Sequence, residues 1–228
     1  MSNRFAHRGQ PYANADTIFR QGGFNLPLKG SDSSLESVRL IRAMNVLRQY
    51  EEQDVRDAYR ELGNCLLPGG LLVEGASSPS GWVWVVNLLR REEHHPRLVL
   101  EGILFGANFR DGFDPAMFQP VLPKIFIHHM LPGEPLYAFF DAWKAAWRET
   151  VAMKVFGPRQ WFRAAAKKIK EQGEAVDTHP KLLSLGLLRL KSSAGFPPVE
   201  WNPMTAYLPR GKGGLSDHPL LLSTSTNA

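Results

Sequence analysis

"LGNCLLPGGLLVEG", residues 62–75, sets a helix end, a Pro-Gly-Gly run and an apolar strand side by side. Upstream of it Val55, Ala58, Tyr59, Leu62, Cys65 and Leu66 recur at helical spacing. Glu51, Glu52 and Asp54 fall where a helix dipole favours negative charge. Pro68 cannot continue the helix's hydrogen bonding, and Gly69 and Gly70 accept backbone angles closed to other residues. Leu71, Leu72 and Val73 then resume as a strand.

Before that helix, VRLIRAMNVL (residues 38–47) is a continuous run of aliphatic and β-branched residues, the pattern of a buried parallel strand. Strand, helix and strand make one right-handed crossover unit, with the Pro-Gly-Gly run as the return into the sheet. Beyond it GWVWVVNLLRR (81–91) and PRLVLEGILFGANF (96–109), separated by EEHHP, read as an antiparallel pair, so the sheet is mixed. Thr17 to Arg20 is a further strand candidate, ended by Gly22, Gly23 and Pro27. From residue 112 the period becomes helical. Leu136, Phe139, Phe140, Trp143, Trp147 and Val151 form one face, Pro158 suits the first turn of a second helix, and Gly173 stops it. The expected organisation is an α/β core over 1–110, a helical extension packed on it over 111–195, and an extended tail over 196–228, one domain in all.

With 228 residues, 43% of them hydrophobic, the chain can bury one substantial core. Cys65 is the single cysteine, which excludes an intrachain disulfide and any cluster of thiolates and fits a reducing compartment. No apolar run approaches bilayer length, and the opening MSNRFAHRGQPYANAD has no signal-peptide pattern, so a cytoplasmic protein without a membrane partner is expected. The net charge of +5 is spread along the chain and by itself predicts no nucleic-acid binding.

The succession LIRAMNVLRQY, helix, LLPGGLLVEGAS resembles the second half of the class I S-adenosylmethionine-dependent methyltransferases. There a strand ending in an Asn-containing segment precedes a helix, a Pro-Gly-Gly turn and the next central strand. The resemblance spans residues 16 to 109 and leaves the family's N-terminal half, with its glycine-rich cofactor loop, unmatched. It implies a partial doubly wound, Rossmann-like mixed sheet with a C-terminal helical extension, its ligand lying beyond the carboxyl ends of the strands. On that implication S-adenosylmethionine meets Gly22, Gly23 and Phe24 from one loop and Asn45, Val46, Leu47 and Tyr50 from the other. Gly22 or Gly23 stands where the family often carries an Asp near the adenine.

The residues admit blander readings alongside. Asn45 can serve a ligand or satisfy a local turn, and Phe24 and Tyr50 can sandwich a flat ring or cover a sheet edge. Glu74, in an apolar strand, is an acid or base candidate if buried, or else meets solvent or an arginine. His94-His95 and His128-His129 are adjacent pairs, which on a strand point to opposite faces, so no metal site is assigned. NFRDGFDP (108–115) can hold a polar substrate through Arg110, Asp111 and Asp114, or form an Asp-stabilised turn. The serines of GASSPSG lack the nucleophile-elbow spacing. Arg163, Lys167, Lys168 and Lys170, beside Trp161 and Phe162, can bind phosphates or form a solvated helix face.

Three functions are therefore carried forward. The first is methyl transfer from S-adenosylmethionine to an acceptor the sequence does not identify. The second is a catalytically silent binding or scaffold protein on the same fold, and the third, ranked last, is basic nucleic-acid binding. Sheet edges left open by the unmatched half favour a homo-oligomer.

Overall fold

The computed structural model describes residues 10–26, 28, 38–153 and 157–192. Strand β1 (Val38–Met44) leads through a 3-10 turn (Leu47–Gln49) into helix α1 (Glu52–Cys65) and back into β2 (Leu66–Ser77). β1 and β2 are parallel, with Ile41 opposite Leu72 and Met44 opposite Gly75. The crossover expected from the residues around Pro68 is present. The helix and strand abut, however, with no turn between them: the Leu66 N–H closes α1 on the carbonyls of Leu62 and Gly63. Pro-Gly-Gly instead lies inside β2, where the pairing moves from Val38–Leu66 to Leu40–Leu71, and Gly69 takes a φ of 69° in that irregularity.

β3 (Val83–Arg91) adds antiparallel to β2, and β3 and β4 (Leu98–Ala107) are antiparallel to each other, as expected of the pair. The chain then turns helical, with a 3-10 segment (Pro115–Val121), α2 (Lys124–Ile127), α3 (Pro135–Ala152) and α4 (Pro158–Glu171). It next contributes two strands that the helical reading of 111–195 did not foresee. β5 (Val176–Asp177) and β6 (Leu187–Lys191) flank the short α5 (Pro180–Ser184), and β6 pairs with β4 to give the sheet order β1-β2-β3-β4-β6-β5. β5 is two residues long and β6 five, too short for periodicity to register. Thr17 to Arg20 forms no strand; Thr17 makes a single bridge to Asn14. No helix among the described residues is long and apolar enough to cross a membrane.

The result is a mixed, open six-stranded α/β sheet, and among the described residues its core lies on one face. Ile41, Leu72, Val85, Ile103, Phe105 and Leu188 share that face by alternation and register, and they pack in one cluster with residues from the helices. Phe105 stands at its centre, its ring 5.4–5.7 Å from those of Phe118, Phe139, Phe140 and Trp143. Aromatic pairs of this kind add about 0.5–1.5 kcal/mol each beyond burial. The buried face of α3 comprises Leu136, Phe139, Phe140, Trp143, Ala146 and Thr150. Trp147 is half-buried against the core and Val151 exposed, and the Thr150 hydroxyl is satisfied by the Trp147 carbonyl.

At Gly75 the strands leave no room for a side chain: a Cβ would fall 2.0 Å from the Val85 carbonyl oxygen and 2.7 Å from the Val86 Cα. Both atoms belong to the backbone of β3, which cannot yield. We therefore expect Gly75→Ala to lose at least about 3 kcal/mol of stability, or not to fold, measured by urea denaturation. A loss under about 1 kcal/mol would contradict this packing.

Candidate functional site at the carboxyl ends of the parallel strands

β1 ends at Met44, and Asn45 follows with a φ of 59°, a left-handed conformation that Asn tolerates better than most residues. Its N–H donates to the Gly75 carbonyl at 2.8 Å. Its side-chain Oδ1 accepts from the Ser77 N–H at 2.8 Å and its Nδ2 donates to Ser77 Oγ at 3.0 Å. Asn45 thus clamps the end of β1 to the end of β2, the local role that such residues often take, and both halves of its amide are engaged.

Val46 is half-buried and Leu47 fully buried in the core, so Leu47 presents no surface to a ligand. The Tyr50 N–H closes the 3-10 turn on the Leu47 carbonyl at 3.1 Å. Phe24 and Tyr50 do come together, with ring centroids 5.4 Å apart and planes at 67°. They touch each other edge to face instead of facing across a slot. Gly22 and Gly23 are exposed beside them. Of the seven positions the resemblance implies, the structure therefore joins Phe24 to Tyr50, spends Asn45 on Ser77 and buries Leu47.

The other polar constellation lies one layer down. Glu74, 1% exposed, accepts from the Tyr59 hydroxyl at 2.7 Å and from Asn87 Nδ2 at 3.1 Å. Neither solvent nor an arginine meets it. Burial pushes the Glu74 carboxyl from the usual 4.5 up to about 7, against the opposing effect of its two donors. Burial, and then the Glu74 charge, pushes the Tyr59 phenol well above its ordinary value. Asn87 Oδ1 is buried and without a partner among the described residues. Sequence reading placed Tyr59 on the helix's apolar face and passed over Asn87. The available signal was a lone Asn in one apolar strand, in register with a lone Glu in the next. Sealed in the core, this trio can hold a proton near neutrality but cannot reach a substrate.

The structure places the other candidates in local contacts or at the surface. Asp114 caps the 3-10 segment by accepting from the Ala116 N–H, and Asn108 accepts from the Arg110 N–H. Arg110 lies 5.4 Å from the Trp82 ring. His94, His95 and His128 are exposed, and His129 pairs with Glu134 at 3.1 Å. Among the described residues no three His, Cys, Asp or Glu side chains form a metal-holding group. On α4, Phe162, Ala165, Ala166 and Ile169 face inward while Arg163, Lys167 and Lys170 face solvent, and Lys168 pairs with Glu149.

No family model matches the chain, and searches of curated proteins and of solved structures found no significant match.

Two outcomes follow from this geometry. Asn45→Ala loses the Ser77 clamp and strains the left-handed backbone, so a destabilisation of about 2 kcal/mol is expected in denaturant titration. Asn45→Gly should restore the backbone part of it. For Glu74, the folded state holds its proton more tightly than the unfolded chain. Its contribution is therefore full below pH 4.5 and falls as pH rises to about 7, by about 3 kcal/mol in all. Glu74→Gln, which keeps an acceptor for Tyr59, should flatten that slope and leave the variant the more stable protein at alkaline pH. An unchanged slope would assign the proton elsewhere.

Proposed function

We propose that the chain is a methyltransferase-related protein that takes S-adenosylmethionine beyond the carboxyl ends of β1 and β2. On this reading the sheet is the second half of a Rossmann-like, doubly wound one. The observation that supports it most is the parallel β1–α1–β2 unit, whose ends are brought level by the Met44–Gly75 pairing and followed by the antiparallel β3 and β4. The Phe24–Tyr50 pair offers an apolar wall for the nucleoside, beside the exposed Asn45. Methyl transfer needs the donor and acceptor held in line, which positioning alone can supply. The rest of the nucleotide site would come from a segment or a second copy along β1, which pairs only with β2 among the described residues.

A second reading, a non-catalytic binding or scaffold protein on the same half-fold, draws on one specific observation. The Asn45 amide, the polar group best placed for a ligand, is already taken by Ser77.

Calorimetric titration with S-adenosylmethionine and S-adenosylhomocysteine, with the mass in solution recorded on the same sample, separates the two. The methyltransferase reading expects saturable heat, and about tenfold weaker binding for a folded Asn45→Ala variant. Absence of heat at millimolar ligand favours the scaffold.

A further inference from the structure

The face of the sheet turned away from the core is built differently from a solvated one. Leu71, Val73, Trp84, Val86, Leu88 and Leu104 share it by alternation and register, and none belongs to the cluster packed with the helices. Val86 is buried and the others half-buried, while Leu40 on β1 is 60% exposed. The Trp84 ring lies against the strand at Gly106, where a Cβ would fall 2.2 Å from it. The indole is thereby kept close to the sheet, and the centre of the face is low.

The charges on this face stand at its sides. One row of residues in register runs Arg42, Val73, Leu88, Gly102, Lys191 from β1 to β6, and the next runs Met44, Gly75, Val86, Leu104, Arg189. Each row has an apolar middle and a cation on β6, and the second continues to Asp177 on β5. Arg90 is a further cation on this face; of its carboxylates, Glu101 is bound to Arg90 at 2.5 Å and Asp177 on β5 stands opposite Arg189. Arg42 and Lys191 are exposed. Four strand spacings separate β1 from β6, about 19 Å, and a helix with its side chains is about 10–12 Å wide.

From these dimensions and charges we propose that this face receives an amphipathic helix of another protein, its apolar stripe on the aliphatic centre and its acidic flanks against Arg42 on one side and Lys191 on the other. A second copy of the chain laid on the face would set these cations against one another. Single-stranded nucleic acid would find one indole where it needs several rings to stack on. The aliphatic middle instead suits the leucine-rich stripe of a helix.

The test uses the full chain and a fluorescein-labelled synthetic helical peptide of about 18 residues, long enough to cross the face along the strands. Leucines at helical spacing form one face of the peptide and glutamates flank them. A lysine-flanked version, oligouridylate, phosphatidylserine vesicles and the mass of the chain alone are the comparisons. Anisotropy should show saturable binding of the acidic peptide, about tenfold or more tighter than the lysine version and weakening with salt. Arg42→Glu/Lys191→Glu, two exposed changes that spare the core, should reverse the preference between the peptides. Leu88→Asp should abolish binding of both. Equal affinity for the two peptides, an unreversed preference in the charge-swapped protein, binding of only the oligouridylate or the vesicles, or a dimer that the charge swap dissociates would each overturn the proposal. None of these readouts depends on S-adenosylmethionine, so their failure is distinct from failure of the methyltransferase reading.

Discussion

Two parallel strands cannot be joined by a tight turn; the chain must leave the sheet, cross it and return in the same direction. In this protein α1 makes that crossing, and most of the architecture follows. Val55, Tyr59 and Leu62 anchor the helix on the core face, the strand resumes at the residue after the helix ends, and Pro-Gly-Gly absorbs the mismatch as an irregularity inside β2. At the far end Asn45 ties the two strands together through three hydrogen bonds, so β1 is held to β2 beyond the last paired residue.

The crossover and the β3–β4 pair were legible because each carries a long signal: a helix of fourteen residues with a clear apolar stripe, and strands of nine and ten with turn residues between them. The far edge was not. β5 and β6 are short, and LLRLK reads as well in a helix as in a strand. β6 becomes a strand through its pairing with β4, an interaction between residues far apart in the chain. Tertiary context decided what local preference left open.

At the candidate site the residue types could be named but their partners could not. Nothing local to Asn45 announces Ser77, thirty-two positions away, as the group that occupies its amide. Glu74 was recognisable as a polar residue in an apolar strand, and its elevated proton affinity follows from burial. The identity of its donors required the register that sets Asn87 opposite it and the helix that sets Tyr59 above it. A carboxyl so placed costs stability when ionised, and its two hydrogen bonds offset only part of that cost.

The late addition of β6 also bears on how the chain is made. β4 ends at Ala107, and its outer partner ends at Lys191, about eighty residues later. At a synthesis rate of about 5–20 residues per second, the outer edge of β4 waits on the order of ten seconds on the ribosome before its partner is available. Throughout that interval the nascent protein carries an unpaired strand containing Ile103 and Phe105, and it is then that capture by chaperones or by neighbouring chains competes with completion of the sheet.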